Sequence, residues 1–245
     1  MKRKQVLILG CSYSLGSYTL DLDHIVNESC DKGHCWYDYL PKEYDYTVYS
    51  FPGGGYLNYA TLLDNDFDFT KFDYCIIQET WEPRHTLCYP DQSTTLVSQR
   101  DNITQYCFDG DKKIFVTALN KNPAMVKLIE KSQGIDISDP NLLEWLYKVG
   151  FENGHATTMV RSYIVLINRF LRESNIPTYA FSMSGRHFTI HDHVQYLDVS
   201  EKVRDRIWFK DEYQNFSKNF IGHFNHAGMT ELGKIVSAEV AKVLK

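Results

Sequence analysis

The sequence predicts an α/β protein built as a doubly wound, five-stranded parallel sheet. Two observations predict it. Short apolar or β-branched runs of strand length alternate with longer segments whose apolar residues recur at helical spacing. Polar or glycine-rich turns then follow successive runs, at residues 10–14, 52–55 and 78–84, where a parallel sheet carries its ligand-binding loops. At 245 residues, 43% hydrophobic and 23% charged, the chain has globular proportions and the length of one α/β domain, expected to span 1–245.

The first strand is the apolar run 6–9, stopped by Gly10. Ser12 and Ser14 follow it, so two hydroxyls and a small-residue turn sit beyond the carboxyl end of a strand. A nucleophilic serine with half an oxyanion hole needs that arrangement; so does an ordinary strand-to-helix turn capped by serine. Residues 27–33 are polar and read as loop. Trp36, Tyr37, Tyr39 and Leu40 have the spacing of a short amphipathic helix ending before Pro41, with its aromatics in the core.

Residues 46–50 form the second strand, leading into the glycine-dense stretch Phe51-Pro52-Gly53-Gly54-Gly55. Helix is expected from 58 to 63 and the third strand from 72 to 78, ending in Glu79-Thr80-Trp81-Glu82-Pro83-Arg84. Residues 85–110 read as an irregular polar excursion, a lid or substrate wall. The fourth strand is 113–119, followed by a mainly helical insertion around 121–156 with Leu142, Leu143, Leu146 and Val149 on one face. A clearer helix covers 159–171 through Val160, Ile164, Ile167 and Leu171, and the fifth strand covers 176–182 with Pro177 at its start. Leu232, Val236, Val240 and Val243 mark a terminal amphipathic helix.

A formal charge of −5 gives no general pull toward nucleic acid or an anionic membrane, and neither partner is expected. The basic N-terminus lacks the apolar core of a signal peptide, and no run approaches a membrane span, so a soluble, cytoplasmic protein is expected. The six cysteines, Cys11, Cys30, Cys35, Cys75, Cys88 and Cys107, form no disulfide framework and fit a reducing compartment. Cys30 and Cys35 with His34 make half a metal site without a second half. His187, His191, Asp192 and His193 read as a polar loop, and no metal is expected.

Three short motifs together resemble the SGNH/GDSL hydrolase superfamily. Leu9-Gly10-Cys11-Ser12-Tyr13-Ser14 is similar to its strand followed by Gly-Asp-Ser-x-Ser, with Cys11 in place of Asp. The 51–55 loop stands where that family has an oxyanion glycine. His223-Phe224-Asn225-His226-Ala227-Gly228 is similar to its His-Pro-Asn-x-x-Gly before the terminal helix, with Phe for Pro. The resemblance implies a three-layer, flavodoxin-like α/β/α sandwich, Ser12 as nucleophile, His223 as general base, and Gly53 with Gly54 at the oxyanion. It implies no cofactor. Two positions depart from the family pattern. Phe220 stands where the family has the Asp that orients the base, leaving Asp192, Asp198 or a backbone carbonyl for that task. No Asn follows the third strand, leaving Gln78 or Thr80 to donate to the oxyanion and Arg84 to bind an anionic group.

The resemblance implies a serine ester hydrolase or acyltransferase acting on a small-molecule or carbohydrate ester, with Ser14 in support. The alternative is a non-catalytic carbohydrate- or ligand-binding module on the same fold. A flavin- or phosphate-loop reading of 10–16 has neither Gly-x-Gly-x-x-Gly nor a P-loop lysine to support it.

Overall fold

The computed structural model describes residues 2–15, 19–20, 25–26, 35–51, 56–62, 67–79, 85–88, 93–109, 113–116, 148, 155–183, 193–208, 210–213 and 224–244. Its centre is strand β1, Gln5–Cys11, in which Val6, Leu7, Ile8 and Leu9 are all fully buried. A strand buried on both faces reads as a continuous apolar run, and that is how this one reads. β1 pairs in parallel with β4, Asp45–Phe51, on one side and β5, Tyr74–Glu79, on the other. Beyond β5 lie β10, Thr178–Ser182, and β11, Val194–Tyr196, both parallel to their neighbours. Taken by themselves these five strands run 2-1-3-4-5 in chain order, a doubly wound order whose switch point lies between β1 and β5.

The sheet has seven strands rather than five. β7, Ser93–Arg100, and β8, Ile103–Asp109, form a hairpin that extends it past β4, giving the order β11-β10-β5-β1-β4-β8-β7. β8 is parallel to β4 and β7 antiparallel to β8, so the sheet is mixed but mostly parallel. Much of the expected irregular excursion at 85–110 is therefore strand. The expected fourth strand is also displaced. Lys113–Val116, β9, pairs with β6, His85–Cys88, in a separate two-stranded sheet, and residues 117–119 lie outside the described residues. β2, Thr19–Leu20, and β3, Ile25–Val26, form another small pair.

Alternate side chains of the central strands enter two separate cores. Leu7, Leu9, Cys75, Ile77 and Ala180 face α2, Tyr56–Thr61, and α3, His155–Glu173, which contributes Val160, Ile164, Ile167 and Leu171 at its helical spacing. Val6, Ile8, Val48, Ile76 and Phe181 face the 3-10 turn Trp36–Tyr39, the short α4, Ser200–Val203, and the C-terminal α5, His226–Val243. The sheet thus has helical cover on both faces. Asn175, at φ 54°, ends α3 in a left-handed cap, and Pro177 then precedes β10. Among the described residues no helix is long and apolar enough to cross a membrane. The expected helical insertion falls outside them, apart from Lys148 and the start of α3.

Candidate active site

Beyond β1 the chain turns into the one-turn helix α1, Ser12–Leu15, at the carboxyl edge of the sheet beside the switch point. Gly10 is what lets the turn close. A Cβ on it would fall on the Ser14 hydroxymethyl group, and 3.0 Å from Gln78 Oε1. Ser14 is fully buried and folds back over that space. Its Oγ accepts a hydrogen bond from Trp36 Nε1 at 3.0 Å and donates to Gln78 Oε1 at 2.6 Å. Because the indole can only donate, the serine proton goes to Gln78, and this fixes which end of the amide faces the turn. Gln78 Nε2 in turn approaches Cys11 Sγ at 3.4 Å and Met183 Sδ at 3.2 Å.

The Ser14 carbonyl is held separately. It accepts from Ser50 Oγ at 2.8 Å and from Gln105 Nε2 at 3.3 Å. A single helical turn leaves its carbonyls without intrahelical partners, so a buried one needs donors from elsewhere. The turn carrying Ser12 therefore rests on polar side chains from β4, β5, β8 and the Trp36 turn.

Of the residues singled out in the sequence, Ser14 and Gln78 meet beneath this turn. Gln78 is 1% exposed, on the side of the sheet that carries Trp36 and Met183. Only the backbone of Ser12 is described; Gly53, Gly54, Thr80, Arg84, Asp192, Phe220 and His223 lie outside the described residues. Asp198, offered as an orienting acid, is exposed and paired with Lys202 at 2.8 Å, which holds its carboxyl below the ordinary range. Lys202 also reaches Glu239, far along α5 from its N-terminus. Of the half metal site, Cys35 is buried and hydrogen-bonded with Arg100. Among the described residues no group of three or more His, Cys, Asp or Glu could hold a metal.

The far-end motif has a local structure that explains its residues. Asn225 caps α5, its Oδ1 accepting from the Gly228 amide at 3.0 Å. A Cβ on Gly228 would stand 2.6 Å from the Tyr213 carbonyl and 2.8 Å from Phe224 Cβ, so the position needs glycine. Phe224 is fully buried and packs edge-on to Tyr13, whose ring centroid lies 5.2 Å away. That contact joins the start of α5 to the turn carrying Ser12.

A second polar cluster was not singled out in the sequence. Glu79, the last residue of β5, is buried and accepts from the Tyr196 hydroxyl at 2.8 Å; Tyr56, the first residue of α2, also hydrogen-bonds it. Burial first, and then the Glu79 charge, push both phenols well above the ordinary tyrosine range. Tyr59 completes the group by donating to the Gln78 carbonyl at 3.0 Å. Glu79 and Tyr56 each adjoin a turn that had been noticed, but nothing local announces their pairing. The chain matches no family model, and no curated protein to a significant degree.

Proposed function

We propose that this chain is a serine hydrolase of the SGNH/GDSL type, with the flavodoxin-like fold of that superfamily, acting on an ester of a small molecule or carbohydrate. Ser12 attacks the acyl carbon while His223 takes its proton, and the proton then passes to the leaving alcohol. Water repeats the cycle on the acyl-enzyme and regenerates Ser12. Backbone N–H groups after Ser12 and at Gly53 and Gly54 hold the oxyanion, with Thr80 and Arg84 as further polar contacts. The chemistry needs no metal or organic cofactor.

The observation that carries this reading is the seating of the Ser12 turn. It lies beyond the carboxyl end of β1, at the switch point, and is held by a buried polar network. Asn225 and Gly228 support it further, since their capping geometry accounts for two of the residues in the motif that contains His223.

A fluorophosphonate probe and short-chain aryl esters test the proposal together. The probe is expected to label wild-type protein and leave Ser12→Ala unlabelled. His223→Ala is expected to lose about a thousandfold or more in ester turnover. Equal turnover in wild type and both variants would sink the assignment. Binding of a carbohydrate without any labelling would favour the non-catalytic module instead.

A further inference from the structure

We infer that Gln105 is a positioning residue for the Ser12 turn, and that the β7–β8 hairpin, which lies outside the five parallel central strands, buttresses the site. The inference rests on the hydrolase reading for its consequence, though not for its geometry. Gln105 lies on β8, is fully buried, and reaches a carbonyl 91 residues away in sequence. Its Nε2 donates to Ser14 O at 3.3 Å and to Ser50 Oγ at 3.2 Å. Its Oε1 accepts from Ser98 Oγ at 3.2 Å.

The two registers that set this up are visible in the sheet. Ser50 pairs with Gly10 on β1 and with Cys107 on β8, so β8 runs level with the end of β1, and Gln105 stands two residues earlier, opposite Val48. On β7 the register slips between Leu96 and Ser98, and after the slip Ser98 stands directly opposite Gln105. A bulge of this kind re-aims a side chain, here a hydroxyl toward a buried carboxamide. The result is a chain of buried donors and acceptors running Ser98, Gln105, Ser50, Ser14 carbonyl.

Ser12 lies between two fixed points. Gly10 is pinned under Ser14, and Ser14 is held at both its hydroxyl and its carbonyl. A one-turn helix cannot hold its own shape, so the donors on its carbonyl set its tilt. Displacement of a catalytic group by about 1 Å costs on the order of a hundredfold in rate. In this account Gln105 acts through the Ser14 carbonyl.

The experiment compares Gln105→Leu and Ser98→Ala with wild type, by fluorophosphonate inactivation and by amide hydrogen exchange of residues 12–15. For Gln105→Leu we expect the maximal inactivation rate to fall about ten- to a hundredfold, with the probe's half-saturating concentration within about threefold of wild type. Ser98→Ala, which leaves Gln105 in place, is expected to fall less and covers the case in which Gln105→Leu does not fold. Exchange at 12–15 is expected to quicken in both, while the amides of Ile76 and Ile77 in β5 stay protected. Unchanged exchange at 12–15 in the folded variants overturns the inference. So does quickened exchange with wild-type inactivation, because the turn's tilt would then not govern Ser12. If wild type takes no label while exchange still quickens, the positioning stands and the hydrolase reading fails.

Discussion

Gly10 and Ser14 act as one steric unit, since the space a Cβ would take at the first is filled by the side chain of the second. Forcing extra volume into a packed site costs about 1–3 kcal/mol. Gly10→Ala should therefore destabilise the chain by about that much, by pushing Ser14 off Trp36 and Gln78. Ser14→Gly removes the obstruction but leaves the buried Trp36 N–H without that acceptor, a loss of about 1–3 kcal/mol. The two substitutions should couple: Gly10→Ala should cost less in the Ser14→Gly background than in wild type, read from urea unfolding midpoints of the four proteins. Strict additivity would show that Gly10 is glycine for some other reason. Ser12 and Ser14 are both candidate hydroxyls in the sequence, and Ser14 is fully buried. A fully buried hydroxyl with two partners supports the turn, which leaves Ser12 as the nucleophile of the proposed reaction.

At the scale of elements, α5 lies unusually close to the Trp36–Tyr39 turn. A Cβ on Gly233 would meet the Tyr39 ring and stand 2.7 Å from the Trp36 carbonyl, while Thr230 Oγ1 and the Tyr39 hydroxyl hydrogen-bond at 2.9 Å. In an open helix Gly→Ala gains about 1 kcal/mol. Here the backbone carbonyl cannot swing aside, and overpacking of about 1–3 kcal/mol should win. Gly233→Ala is expected to lower the melting temperature, and a rise would mean that the two elements can part without loss. The Trp36 side chain also serves the site, so the same strain should loosen Ser14. Elements of this kind were legible where burial was two-sided or helical: β1, β4, β5, β10, α3 and α5 all carry their pattern locally. β7 was not, because an edge strand reading Ser-Thr-Thr-Leu-Val-Ser-Gln-Arg has no apolar face, and its two-residue turn uses Asp101 at φ 34° and Asn102 rather than glycine. β9 misled for the opposite reason: Ile114, Phe115 and Val116 look like a core strand but, among the described residues, pair with β6 in a separate two-stranded sheet. Gln78, offered with Thr80 in place of the oxyanion Asn of the resembled family, is placed by strand alternation beneath the turn, toward Met183. Gln105 and Ser50 were invisible as site residues because their role exists only once β4 and β8 lie side by side.

For the molecule as a whole, the titrating groups pull unevenly on the two sides of neutrality. On the acid side they oppose one another. Burial raises the Asp38 carboxyl despite Arg100, while Glu239, though burial works against it, is lowered by Lys202 and Lys242. On the alkaline side every resolved shift among the described residues is upward. Burial raises the Cys75 thiol and the phenols of Tyr46, Tyr56 and Tyr196, and it lifts Tyr49 to about 12, with Tyr106 adding to it. Lys202 is raised too, by its hydrogen bonds to Asp198 and Glu239. Each of these groups holds its proton more tightly folded than unfolded, so on the alkaline side the folded state keeps more protons than the unfolded state. Their contribution to stability is whole below the unfolded values, near 9 for the thiol and 10 for the phenols, and drains away above them. The urea midpoint should accordingly hold level from about pH 7 to about pH 8.5 and then fall with increasing slope through the tyrosine range. Tyrosinate absorbance followed alongside should lag in the folded protein, with the Glu79 pair and Tyr46 ionising only as the chain unfolds. A midpoint that stays level to about pH 11, or all phenols titrating near 10 in folded protein, would show that the polar clusters beneath the sheet edge are open to water.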